Sequence, residues 1–236
     1  MQPVTPLTPQ PLPRAYTSFE SMCDEVRIYA PNVSDRQALH VVRLSAIDFC
    51  RQTGLWIDYM TPIVGQAMQP EYDIPTPANS IISYLSECWY GSVRIDPQSI
   101  EQLKKRYVND WTDISIYNGP PVWYTHTDLC RIRLVPCPRD NTATPLDAIT
   151  GFMCLQPTLD SLGMPSEIAV RWIEGIGFGA RARLYQTPDT PFYNPAIGAQ
   201  YERKAMNEIA KAKIQANMAR GRGPLTINKK PWPWGA

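Results

Sequence analysis

Apolar residues recur at helical spacing towards both ends of the chain and at strand-like spacing between them, a pattern that predicts helices flanking a sheet. Phe19, Met22, Val26 and Tyr29 share one face of a helix predicted over Tyr16 to Tyr29, which Pro31-Asn32 stops. A stronger helix follows. Ser34 with Gln37 reads as a capping box, Leu39, Val42, Ala46, Phe49 and Cys50 form the inward stripe, and Gly54 ends it.

From Trp56 to Leu155 the text breaks into strand-like runs separated by Pro and Gly: Trp56 to Met60, Ile63 to Met68, Ile81 to Tyr90, Val93 to Ile95, Val122 to Thr127, Leu129 to Val135 and Ala148 to Leu155. The stretch Val122 to Val135 predicts a hairpin whose second arm alternates apolar and basic residues. Asp96-Pro97 predicts a helix start inside this region, with Ile100, Leu103 and Tyr107 as its apolar side.

Gly163-Met164-Pro165 begins another predicted helix, to about Tyr185, with Ile168, Ala169, Trp172, Ile176 and Ala180 inward. Gly175, Gly177 and Gly179 fall inside it. Each mid-helix glycine costs about 1 kcal/mol relative to alanine, so this run implies close approach to another helix. Asn194 caps and Pro195 opens a last helix to about Arg220, and Ile197, Tyr201, Ala205, Ile209, Ala212 and Ala216 form a narrow face made mostly of alanine.

The fold class expected is α+β. Residues 16–56 and 164–220 form a helical part, 57–163 an antiparallel sandwich or barrel-like part, 1–15 a flexible proline-rich arm and 221–236 an extended docking tail.

A chain of 236 residues buries a core without staples. Its six cysteines include no C-x-x-C pair and only His40 and His126 could join them, so they read as reduced thiols and no metal or cofactor is expected. Met1 to Pro13 carries five prolines and no Lys or Arg, unlike a secretion signal. The most apolar stretch, Ile168 to Leu184, is interrupted by Arg171, Glu174, Arg181 and Arg183, so no membrane association is expected.

A net charge of +1 hides an asymmetry: from Tyr201 onward there are eight Lys/Arg against two Glu, leaving fifteen basic against twenty acidic residues before it. A mildly acidic body with a basic end suggests an arm that seeks an acidic groove or phosphate.

Enzymatic signals are weak. Gly175-Ile176-Gly177-Phe178-Gly179 lies mid-helix rather than between a strand and a helix start, so it is not a phosphate loop. His126 beside Asp128 lacks a nucleophile motif, and Asp24, Glu25, Asp110, Asp113 and Asp147 are spread over different elements. The protein is expected not to be an enzyme. Trp89-Tyr90, Trp111 and Trp123-Tyr124 fit core packing, while the basic C-terminal tail together with Arg131 and Arg133 beside aromatics leaves a nucleic-acid-binding module as the alternative.

The terminal segment points to docking on another protein. Tyr201 and Ile209 lie on its alanine-rich helix face, Trp232 and Trp234 offer compact apolar anchors, and Arg220, Arg222, Lys229 and Lys230 offer charge complementarity.

The order of several segments resembles the head-to-tail adaptor (connector) proteins of tailed bacteriophages, of the tail tubular protein A type. The matching text spans about Ser34 to Arg222: the helix Ala38 to Cys50 ending in Thr53-Gly54-Leu55-Trp56; Glu71-Tyr72-Asp73-Ile74-Pro75; Tyr90-Gly91 before Asp96-Pro97-Gln98-Ser99; Trp111; Arg133-Leu134-Val135-Pro136-Cys137-Pro138; the Met164-Pro165 helix leading to Gly179-Ala180-Arg181-Ala182-Arg183-Leu184; and Pro191-Phe192-Tyr193-Asn194-Pro195 before the last helix. Met1 to Pro13 and the Pro231-Trp232-Pro233-Trp234 ending stand outside the match.

The resemblance implies a homo-oligomeric, dodecameric ring in the virion neck, assembled in the host cytoplasm. It implies a portal protein above, a tail or nozzle protein below, and DNA passing through the lumen without specific binding.

Overall fold

Ser18 decides where the first helix begins: its hydroxyl accepts from the Glu20 amide at 3.1 Å, capping a helix that starts only at Phe19. The computed structural model describes residues 14–107, 111–128, 130–139 and 147–219. The predicted helix over Tyr16 to Tyr29 is thus a strand, β1 (Tyr16–Ser18), and two single-turn helices, α1 (Phe19–Met22) and α2 (Asp24–Arg27). Backbone pairing of β1 with a late strand accounts for the difference, because residues held in a ladder cannot also be helical. Phe19, Met22 and Val26 still face the core, while Tyr29 is half exposed.

α3 (Asp35–Thr53) follows its sequence signals at both ends: the Gln37 amide donates to Ser34 Oγ, and Gly54 closes the helix with φ +59°. The chain then enters β2 (Ile57–Tyr59), β3 (Ile63–Val64), β4 (Glu71–Asp73), β5 (Ser80–Tyr90) and β6 (Val93–Pro97). The run predicted to Met68 stops at Val64, since Met68 adopts φ +59° and the Gln69 amide turns back to Gln66.

Asp96-Pro97 does not start a helix. Both residues lie in β6, and Ser99 instead caps α4 (Ile100–Arg106) through a reciprocal box with Gln102 at 2.9 and 3.2 Å. β7 (Trp123–Asp128) and β8 (Arg131–Val135) form the expected hairpin, and β9 (Ala148–Pro157) pairs with β2, β3 and β5. β10 (Gly163–Pro165), predicted as a helix start, is the partner of β1, so the next helix opens at Ser166.

Eight strands form one sheet in the order β2-β9-β5-β6-β7-β8-β4, with β3 added on β9. Pairings are antiparallel except β6 with β7, which run parallel. The fold is α+β, a curled, half-barrel-like sheet against helices α5 (Ser166–Arg171), α6 (Ile173–Gln186) and α7 (Pro195–Ala219) together with α3. One hydrophobic cluster runs through both layers, joining Phe49, Trp172 and Ile176 of the helices to Trp56, Ile82, Tyr124 and Leu155 around the sheet.

Cys50 and Cys88 sit in that core, and burial pushes both thiols up to about 12. They therefore stay protonated and poorly nucleophilic. No disulfide joins the cysteines and only Cys130 is partly exposed, so iodoacetamide at mildly alkaline pH should label Cys130 first. Mass spectrometry showing Cys50 or Cys88 labelled as fast in the native protein would contradict this burial.

Candidate interaction site

The terminal helix, which the sequence pointed towards docking on another protein, packs one face against α6, and the reason is the glycine run. A Cβ added at Gly175 would stand 2.9 Å from Glu208 Cβ, and one at Gly198 would stand 2.8 Å from Gln186 Cγ. Gly175 therefore matches Glu208 while Gln186 matches Gly198, so α6 and α7 run antiparallel with backbones in close approach. The alanine face meets the glycine face, and Ala205, Ile209, Ala212 and Ala216 are buried.

This placement turns two proposed docking residues towards the helical layer. Ile209 is 8% exposed and belongs to the main core. Tyr201 stacks on Tyr185 at 5.8 Å and on Phe178 at 6.1 Å, and meets Tyr29 edge-on at 6.1 Å. Burial holds the Tyr185 phenol above its ordinary pKa, and its hydroxyl donates to the Tyr29 carbonyl at 3.0 Å. Arg220, Arg222, Lys229, Lys230, Trp232 and Trp234 lie outside the described residues, as does the arm before Arg14.

What α7 offers outward is its opposite face. Met206, Ile214 and Met218 are 49%, 56% and 56% exposed, and with exposed Ala210 they follow a spacing of four residues along one side. Arg203, Lys204, Lys211 and Lys213 are exposed beside them, while Glu208 ties to Lys211 at 2.6 Å and Glu202 accepts from Gln186 at 3.0 Å. The helix is two-faced, and the i, i+4 recurrence of Met206, Ala210, Ile214 and Met218 was the sequence signal that marked the second face. Asn194 does cap this helix, accepting from the Ile197 amide at 3.2 Å.

The alternative hairpin surface is internally satisfied. Arg131 binds Asp73 at 2.7 Å, and Arg133 binds Glu71 at 3.3 Å and the Thr112 carbonyl at 2.8 Å while lying over the Trp111 ring. Two carboxylates of β4 thus neutralise both arginines of β8. The aromatic residues are also dispersed rather than forming one shelf: Trp111 joins Leu103 and Val135 in a small cluster, Trp89 meets Phe152, and Tyr124 lies in the main core.

His126 is exposed at the strand end. Its ring packs edge-on to Tyr124 at 5.7 Å, and this local desolvation lowers its pKa. The Asp128 side chain accepts from the Cys130 amide at 2.9 Å and so shapes the turn. Among the described residues no cluster of His, Cys, Asp and Glu is arranged to hold a metal ion, and no helix is long and apolar enough to cross a membrane.

No protein-family model matches the chain, and no curated protein matches its sequence.

Proposed function

We propose that this protein is a non-enzymatic virion component: a ring-forming head-to-tail adaptor that joins a portal to a tail and continues the DNA channel. The reading rests on the resemblance of segment order from Ser34 to Arg222, and the observation that supports it best is the two-faced α7. Its inner face is consumed by α6, leaving an outward apolar stripe with cationic neighbours that leads directly into the basic Gly221 to Ala236 segment.

In this reading α7 is the rigid base of a docking arm, and Arg220, Arg222, Lys229, Lys230, Trp232 and Trp234 supply its contacts with the portal. A ring multiplies each weak contact, so modest affinity per copy gives durable attachment. The mildly acidic body suits a lumen through which DNA slides without being gripped.

Removal of residues 220–236 leaves α7 and its packing intact, which makes it the informative truncation. Electron microscopy of full-length protein with its cognate portal should show a collar, and the truncated chain should show none or one of low occupancy. A collar unaffected by truncation would refute the docking arm, and no collar with the full chain would refute the adaptor function.

A further inference from the structure

We propose that the outer face of α3 carries a second binding site, independent of the terminal segment, for an acidic protein segment. Arg36, His40 and Arg43 occupy positions i, i+4 and i+7, which places them on one side of the helix. With Gln37, Leu39 and Leu159 they line an open cleft of about 460 Å³. No carboxylate lines this cleft.

The lack of compensation is local to it. Nearby Arg27 pairs with Asp24 and Asp35, Arg51 pairs with Asp48, and Arg183 also reaches Asp48. Among the described residues neither Arg36 nor Arg43 has a carboxylate within ion-pair distance. Arg43 is half-buried, and its Nε is inaccessible to water with no hydrogen-bond acceptor. A guanidinium that is partly desolvated and uncompensated draws an arriving anion more strongly than one fully hydrated or already paired.

The lining selects among anions. No phenylalanine, tyrosine or tryptophan borders the cleft, so a nucleic-acid base would find only the small His40 ring and the arginine planes to stack on. Leu39 and the half-exposed Leu159 instead provide apolar contact for an aliphatic side chain between flanking carboxylates. A short peptide with one aliphatic residue flanked by acidic ones matches both features.

Isothermal titration of the full chain at low salt with the pentapeptide EDLED, an oligo(dT) strand and inorganic phosphate tests this assignment. The peptide should bind saturably, and Arg36→Ala or Arg43→Ala should each weaken it about tenfold, the loss expected for one charge-assisted contact. Arg131→Ala, remote on the hairpin and already paired with Asp73, should leave binding unchanged. Arg36 is exposed, so its replacement keeps the fold even if that of Arg43 does not, and a melting curve reports which. Absence of peptide binding, or equal affinity in Arg36→Ala, overturns the site. Tighter Arg36-dependent binding of oligo(dT) or phosphate than of peptide overturns the peptide assignment in favour of a phosphate site. Because the chain is tested without a portal, failure here leaves the adaptor reading standing.

Discussion

Arg181→Ala should lower the melting temperature by roughly 6–12 °C, the equivalent of about 3 kcal/mol in a chain of this size. Arg181 is 2% exposed, and its guanidinium carbon lies 4.2 Å from the Tyr29 ring centre, 4.8 Å from Phe178 and 5.0 Å from Tyr201. Nε donates to the Gly177 carbonyl at 3.1 Å, and a terminal nitrogen stands 3.7 Å from Glu25. The ion pair is long and Glu25 is partly hydrated, so it is the smaller share. The larger share is the loss of a desolvated cation enclosed by three aromatic rings and the cavity left among them. Arg181→Lys keeps the charge without the planar group that stacks on those rings, so it should recover less than half of the loss. Circular dichroism melts check both variants, and a change within about 2 °C for Arg181→Ala would show that the rings close over the gap at little cost. Since Tyr29 follows α2, Phe178 lies on α6 and Tyr201 lies on α7, the same substitution should loosen the base of the proposed docking arm.

Features governed by neighbouring residues were readable in the sequence. The caps at Ser34, Gly54 and Asn194 depend on contacts within one turn, and each is formed. Asp96-Pro97 was read as the helix start, and a distant strand overruled it: β7 holds Asp96 and Pro97 in a parallel ladder, which leaves Ser99 to cap α4. The same kind of tertiary override turned Tyr16–Ser18 and Gly163–Pro165 into paired strands.

For the candidate site, the sequence showed a glycine run that needed a close neighbour and an alanine stripe that could supply one. It could not show that the two are each other's partner, because that pairing is decided by the turn of chain between Gln186 and Pro195. Hence Tyr201 and Ile209 were read as docking contacts on the alanine-rich face, the face that α6 covers. Arg131 and Arg133 looked available because their partners sit on β4, a strand of three residues too short to show a period.

Gly179→Ala should destabilise the fold by about 2 kcal/mol, although alanine favours an isolated helix by about 1 kcal/mol. The added methyl group would collide with the Ser45 hydroxyl of α3, which donates to the Ile176 carbonyl at 2.7 Å. Either the helices move apart or that hydroxyl turns away and loses its acceptor within the core. Truncating Ser45 separates these causes. The new methyl would stand 3.4 Å from Ser45 Cβ and 4.0 Å from Ala205 Cβ, which are ordinary contacts. Ser45→Ala alone should cost about 1 kcal/mol, and the double variant should be more stable than Gly179→Ala alone, a favourable coupling of about 1–2 kcal/mol in urea unfolding. Additive losses would mean that backbone crowding, and not the hydroxyl, requires glycine at position 179. Gly175→Ala provides the contrast: its collision is with Glu208 Cβ at 2.9 Å, an atom that Glu208→Ala retains, so no side-chain truncation on α7 should restore it. Rescue at Gly179 without rescue at Gly175 would establish that α6 meets α3 through a removable hydroxyl but meets α7 at backbone distance.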